Sequence, residues 1–109
     1  MATGDNNITN HIAGRLIGYD FETISITNIV KSLTTSKIED SNGNAKRIQV
    51  TVEDAQIRYK YNGTSPTSSE GHLLNPMDTL ELNTTSNIKN LRFIRKGTNN
   101  GKVMVTFER

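Results

Sequence analysis

The residues able to carry chemistry are few in this chain. There are two histidines, His11 and His72, and no cysteine. The lack of cysteine removes thiol nucleophiles, disulfides and Cys-containing zinc sites together. His72 follows Glu70 by two residues, so on an extended strand the two side chains share a face. A metal centre needs several ligands converging, and no third is marked out by spacing. The expected role of His72 is a hydrogen bond to a loop carbonyl, and neither a metal nor a cofactor is expected. Serines are plentiful, but no Gly-x-Ser-x-Gly elbow frames one. Gly63-Thr64-Ser65 lacks the lysine of a phosphate-binding loop. Glu53 and Asp54 are adjacent, so on a strand they point to opposite faces and cannot share a proton as a catalytic pair. These readings argue against an enzyme.

What remains is basic charge. Arg58 and Lys60 alternate onto the outward face of one expected strand, and Arg92 onto that of another. If the strands are neighbours, a basic stripe results, suited to an acidic patch on a protein or to nucleic acid. A solvated face is the plain alternative. The formal charge is only +2, and Tyr59 and Tyr61 fall on the opposite face of their strand. No stacking platform therefore interleaves with the cations, which argues against nucleic acid.

The elements that must position these residues are strands. Ile48, Val50 and Val52 share one face of 47–53; Ile57, Tyr59 and Tyr61 share one face of 56–61; Val103, Val105 and Phe107 share one face of 102–108. Shorter runs stand at 23–27, 79–82 and 91–95, the last with Leu91 and Phe93 inward. Turn signals separate them at Asn42-Gly43 and Asn62-Gly63. Gly97 to Gly101 reads as a hairpin joining the last two strands. Helical spacing is weak, with at most a single turn at 85–90, and the β-branched content of 28–38 argues against a helix there. The expected fold is all-β, a small antiparallel β-sandwich or barrel of six to eight short strands in one domain, residues 19–109.

Residues 1–18 read as an extended N-terminal arm. Gly14 and Gly18 flank Arg15, Leu16 and Ile17, an apolar scrap with no clear strand partner, which could dock on a neighbour or simply fray. The polar, Asn-rich start lacks the features of a signal peptide, and no apolar run approaches the roughly 18 residues of a membrane span. Synthesis in the cytoplasm and no membrane partner are the expectations. A second docking surface is the loop that leaves at Asn62-Gly63, is stiffened by Pro66, and returns through Gly71-His72-Leu73-Leu74.

Several segments together resemble a known family. They are Val52 to Thr67, with Ile57-Arg58-Tyr59-Lys60-Tyr61-Asn62-Gly63-Thr64-Ser65-Pro66-Thr67; Gly71-His72-Leu73-Leu74-Asn75-Pro76-Met77-Asp78-Thr79-Leu80; Ile88 with Leu91-Arg92-Phe93-Ile94-Arg95; and the closing Val105-Thr106-Phe107-Glu108-Arg109. This pattern resembles small virion-associated structural proteins of tailed bacteriophages and prophages. The likeness covers about residues 50 to 109, and more loosely 23 to 35. The family usually has glycine before the turn aspartate, where this chain has Met77. The resemblance implies a non-enzymatic virion component, a capsid decoration protein or a neck accessory. It would dock on capsid, neck or tail proteins as a symmetric homo-oligomer or in many copies. The alternatives are a carbohydrate- or host-receptor-binding β-domain, which would present exposed aromatics, and nucleic-acid binding through Arg58, Lys60 and Arg92.

Overall fold

Strand β5 (Arg47–Glu53) turns alternation into architecture. Ile48, Val50 and Val52 are fully buried, while the residues between them face outward. The computed structural model describes residues 16–109, and this pattern recurs through it. The other strands are β1 (Gly18–Ile26), β2 (Lys31–Ser32), β3 (Glu39–Asp40), β4 (Gly43–Asn44), β6 (Ile57–Lys60), β7 (His72–Leu74), β8 (Thr79–Asn83), β9 (Arg92–Arg95) and β10 (Gly101–Glu108). Eight of them form two four-stranded antiparallel sheets, ordered β1-β10-β5-β8 and β2-β9-β6-β7. The remaining two, β3 and β4, make a small ribbon across the turn at Ser41 and Asn42.

The strand order has a simple origin. Within the sheets, β1 pairs with β10, β2 with β9, β5 with β8 and β6 with β7. These four pairs are one long antiparallel ribbon whose ends meet at β6 and β7. The ribbon also holds together at its corners. Arg95 N–H donates to Thr27 O; Thr84 N–H and Thr85 Oγ1 donate to Lys46 O and Ala45 O; Met77 N–H donates to Val52 O. Rolled up, the ribbon is closed by two further ladders, β10 with β5 and β9 with β6. This is the jelly-roll arrangement of an all-β sandwich. The inner faces share one core, with Ile48, Val50, Phe93, Val103, Val105 and Phe107 fully buried in it.

Two one- to two-turn helices plug the gaps between sheets. They are α1 (Thr35–Ile38) and α2 (Thr85–Asn90), which bury Ile38 and Ile88. The helix at 85–90 is present but, at six residues, exceeds the single turn expected, and the 28–38 segment, expected to be non-helical, is helical for four residues.

Two expectations are corrected. Gly97 to Gly101 is not a hairpin, because β9 and β10 belong to different sheets. It is a corner, and Gly101 is what lets the chain turn it. A Cβ there would lie 2.7 Å from Ile57 Cγ2 and 3.1 Å from Ala55 O. Nor is Ile17 without a strand partner: it exchanges two backbone hydrogen bonds of 3.1 Å with Arg109. Of the expected arm, residues 1–15 lie outside the described residues.

Met77 stands in the corner between β7 and β8. Asp78 N–H donates to Asn75 O, and Asn75 N–H to Asp78 Oδ2, closing a tight turn. Met77 adopts φ 76° within it and is 89% exposed. This left-handed backbone costs an L-residue and suits glycine, which is what the resembled pattern carries. Replacing Met77 with Gly loses no packing, so urea denaturation of M77G is expected to show a stability gain of about 1 kcal/mol. Gly101→Ala should lower stability by about 2 kcal/mol, since the methyl has no space at the corner. An unchanged midpoint in G101A would contradict the corner geometry.

Candidate functional site

The basic stripe forms as the sequence suggests. Lys60 and Arg92 are directly opposite across β6 and β9, and Arg58 lies one step along the same outer face. Its donor groups, however, are engaged locally. Arg58 donates from Nε to Ser68 O and from Nη1 to Gly71 O, both at 2.9 Å. Lys60 Nζ lies 3.5 Å from Glu70 Oε1, and Arg92 Nη1 donates to Asn90 O. Arg58 thus clamps the 61–71 loop to the sheet rather than reaching outward. Leu73, 40% exposed, sits beside it.

Pro66 is the clearest reversal. It was a candidate contact with a partner, but its side chain is fully buried. A Cβ on Gly71 would come within 3.1 Å of Pro66 Cβ, and Gly71 has φ 137°. Pro66 therefore folds the loop back onto the sheet and is not available for docking.

His72 faces solvent instead of bonding a loop carbonyl. It is the cross-strand partner of Tyr59, with ring centroids 5.1 Å apart. Tyr61 stacks on Tyr59 at 6.3 Å and lies 6.4 Å from His72. Tyr61, expected inward, is 40% exposed and lies one residue past the end of β6. Burial pushes the Tyr59 hydroxyl pKa up, and the Tyr61 hydroxyl adds to the shift. An open cavity of about 520 Å³ lies where β6 and β7 diverge, with Tyr61 and His72 along its wall. Alternation alone could not reveal this cluster, because it shows which face a residue is on and not how far the opposite sheet extends.

The edge of the other sheet is the second surface. Among the described residues, β1 pairs only with β10. Asp20, Glu22, Ile24 and Ile26 sit opposite the β10 residues whose backbone faces β1. The alternating residues Phe21, Thr23 and Ser25 therefore turn their N–H and C=O groups toward the open edge. The Phe21 N–H is met by Asp20 Oδ1 at 2.8 Å. Phe21 and Ile17 are 52% and 70% exposed along this edge. Leu16 is half-buried and leads away toward a groove beside Lys46, Arg47, Asn83 and Thr84. Arg15 lies outside the described residues.

Arg109 ties this edge to the rest. Its guanidinium lies 3.8 Å from the centroid of the Tyr19 ring and donates to Asp40 Oδ1 at 2.7 Å and to Gly43 O at 3.2 Å. The Tyr19 hydroxyl donates to Lys37 O. The cation at Arg109 and the Asn42 N–H hold the Asp40 carboxyl below its ordinary 3.8. The Phe21 N–H and Lys37 do the same for Asp20.

No cluster able to hold a metal ion is seen among the described residues. No group of three or more His, Asp or Glu side chains converges there. Glu53 and Asp54 both lie near Lys102 Nζ, at 3.8 and 3.9 Å. They reach it together, against the expectation of opposite faces, because β5 ends at Glu53 and Asp54 turns with φ 79°. No helix of the described residues is long and apolar enough to cross a membrane. No family model, curated protein or solved structure matches the chain.

The lowered carboxyl values fix the sign of an acid effect. A carboxylate depressed in the folded state stabilises it at pH values above the unfolded pKa, and the contribution is lost as pH falls through the folded value. Stability should therefore drop below about pH 4. The drop should be shallower in Arg109→Gln, which removes the main partner of Asp40. Thermal melts between pH 2 and pH 6 check this, and parallel curves for the two proteins would rule the clamp out.

Proposed function

We propose that this chain is a non-enzymatic structural component of a tailed-phage particle, docking on capsid, neck or tail proteins through the open edge of β1. The observation that carries the docking reading is that edge: nine residues long, with outward-turned backbone groups at Thr23 and Ser25 and an exposed Phe21. Edge strands of this length are usually shortened, charged or covered, because they recruit further strands. Here the defences are an irregularity between Gly18 and Asp20, the Asp20 carboxylate that caps the Phe21 N–H, and the charge of Glu22, and none of them lies at Thr23 or Ser25. Strand addition supplies backbone hydrogen bonds for affinity and side-chain contacts for specificity.

The phage assignment is supported by the sequence pattern over residues 50 to 109. The jelly roll is compatible with it, since this architecture serves in viral capsid proteins as well as in lectins, and a fold alone does not decide between them. A particle component acts by adding buried area at subunit junctions, which stabilises the assembly through binding linkage. The basic stripe contributes little to this reading, because its cations already have partners.

The test has two parts. Quantitative mass spectrometry of purified particles should find the chain in fixed stoichiometry with another particle protein; its absence from particles would end the reading. Thr23→Pro then probes the edge. Proline at this position removes an N–H that serves no internal ladder, so the domain should still fold. Incorporation should fall by roughly tenfold, as expected for one or two lost backbone hydrogen bonds. Normal incorporation of a folded T23P protein would remove the β1 edge from the account.

A further inference from the structure

The Tyr59, Tyr61 and His72 cluster is not used by the docking edge, and it has the make-up of a ligand site. Tyr61 and His72 are exposed on what is, by strand alternation, the inner face of their sheet. Tyr59 neighbours both rings, 6.3 Å from Tyr61 and 5.1 Å from His72. The adjoining cavity is about 520 Å³ and open to solvent, a size suited to a small ligand. Its polar groups are a mixture of donors and acceptors. Asn62 Oδ1 accepts from Thr64 N–H and Oγ1, which leaves the Nδ2 amide to donate outward. The Tyr61 hydroxyl and the His72 ring nitrogens add further donors and acceptors, while the Lys60 ammonium at the rim is held 3.5 Å from Glu70.

We propose that this cradle binds a single pyranose residue of a glycan. A pyranose presents an apolar C–H face, which suits the electron-rich face of an aromatic ring. It also presents a rim of hydroxyls, which suits mixed donors and acceptors. The angle between the rings sets the number of residues held. Tyr61 and His72 are inclined by 32° at 6.4 Å, so they are not the flat strip that suits a polysaccharide chain, and the cavity they line has room for one sugar ring. Nucleic-acid bases also stack on tyrosine, but a phosphate backbone needs free cations alongside. Here Arg58, Lys60 and Arg92 are engaged with Ser68, Gly71, Glu70 and Asn90. The proposal is independent of the phage assignment and of the β1 edge.

Saturation-transfer NMR on the whole chain tests it, with methyl β-glucopyranoside, methyl β-galactopyranoside and methyl N-acetyl-β-glucosaminide as probes. At least one should take up saturation at its ring C–H protons. Tyr61→Ala should abolish the transfer, Tyr61→Phe should keep it, and Phe21→Ala on the opposite sheet should leave it unchanged. Should Tyr61→Ala fail to fold, titrating the same sugars into the wild-type protein decides, with Tyr61, Asn62 and His72 expected to show the largest resonance shifts. The proposal is overturned if none of the three sugars takes up saturation, if transfer persists in folded Tyr61→Ala, or if an oligothymidine saturates where no sugar does.

Discussion

Gly101 begins β10 with no side chain, against Ile57 Cγ2 and the carbonyl of Ala55. At this corner the ribbon leaves one sheet and enters the other. Because the corner is tight, β10 can run between β1 and β5 and bury Val103, Val105 and Phe107. Apolar burial supplies the driving force, at roughly 25 cal/mol per Å², but only a chain that can turn here brings those residues inside. The other corners serve the same purpose with hydrogen bonds. Thr84 and Thr85 hold Lys46 and Ala45, and Met77 holds Val52. A roll with its corners pinned needs no disulfide, and the chain has no cysteine to make one.

The strands were largely legible in the sequence, and the roll was not. Alternation identified the buried faces of β5 and β10, because each is covered along its whole length, and the buried Phe93 of β9. It failed at Tyr61, which lies one residue past the end of β6 and is exposed. The segment from Gly97 to Gly101 shows a second limit. A Gly- and Asn-rich link of this length can close a hairpin or turn a corner, and only the packing of Gly101 on Ile57 distinguishes them. Pro66 and Arg58 show a third. Residue types that suggest a docking loop proved to be what fastens that loop, Pro66 by burial and Arg58 by two carbonyl contacts. The basic face was found correctly, but the partners that occupy its charges come from backbone carbonyls and from Glu70, which no spacing rule marks.

The result is a molecule with two unlike surfaces. Sheet β2-β9-β6-β7 carries the clamped loop and the aromatic cluster, where shape and ring chemistry are fixed by Arg58, Pro66 and Tyr59. Sheet β1-β10-β5-β8 carries a mostly polar outer face interrupted by Phe21 and Met104. Thr23, Met104, Thr51 and Thr79 line one rung across it, and Phe21, Thr106, Gln49 and Glu81 the next. Arg109 connects the β1 end of that sheet to the β3–β4 ribbon through Asp40 and Gly43. The edge is thereby presented on a rigid base, which lowers the ordering cost of adding a strand to it.

Hydrogen exchange at individual amides tests the central claim most directly. In the free protein, the Thr23 and Ser25 amides turn toward the open edge and should exchange rapidly, while those of Glu22 and Ile24, facing β10, should be slow. In purified particles the account predicts that Thr23 and Ser25 become as protected as their neighbours. Rapid exchange at both amides within the particle would contradict it, because an edge that stays open to water is not the surface by which the domain is held.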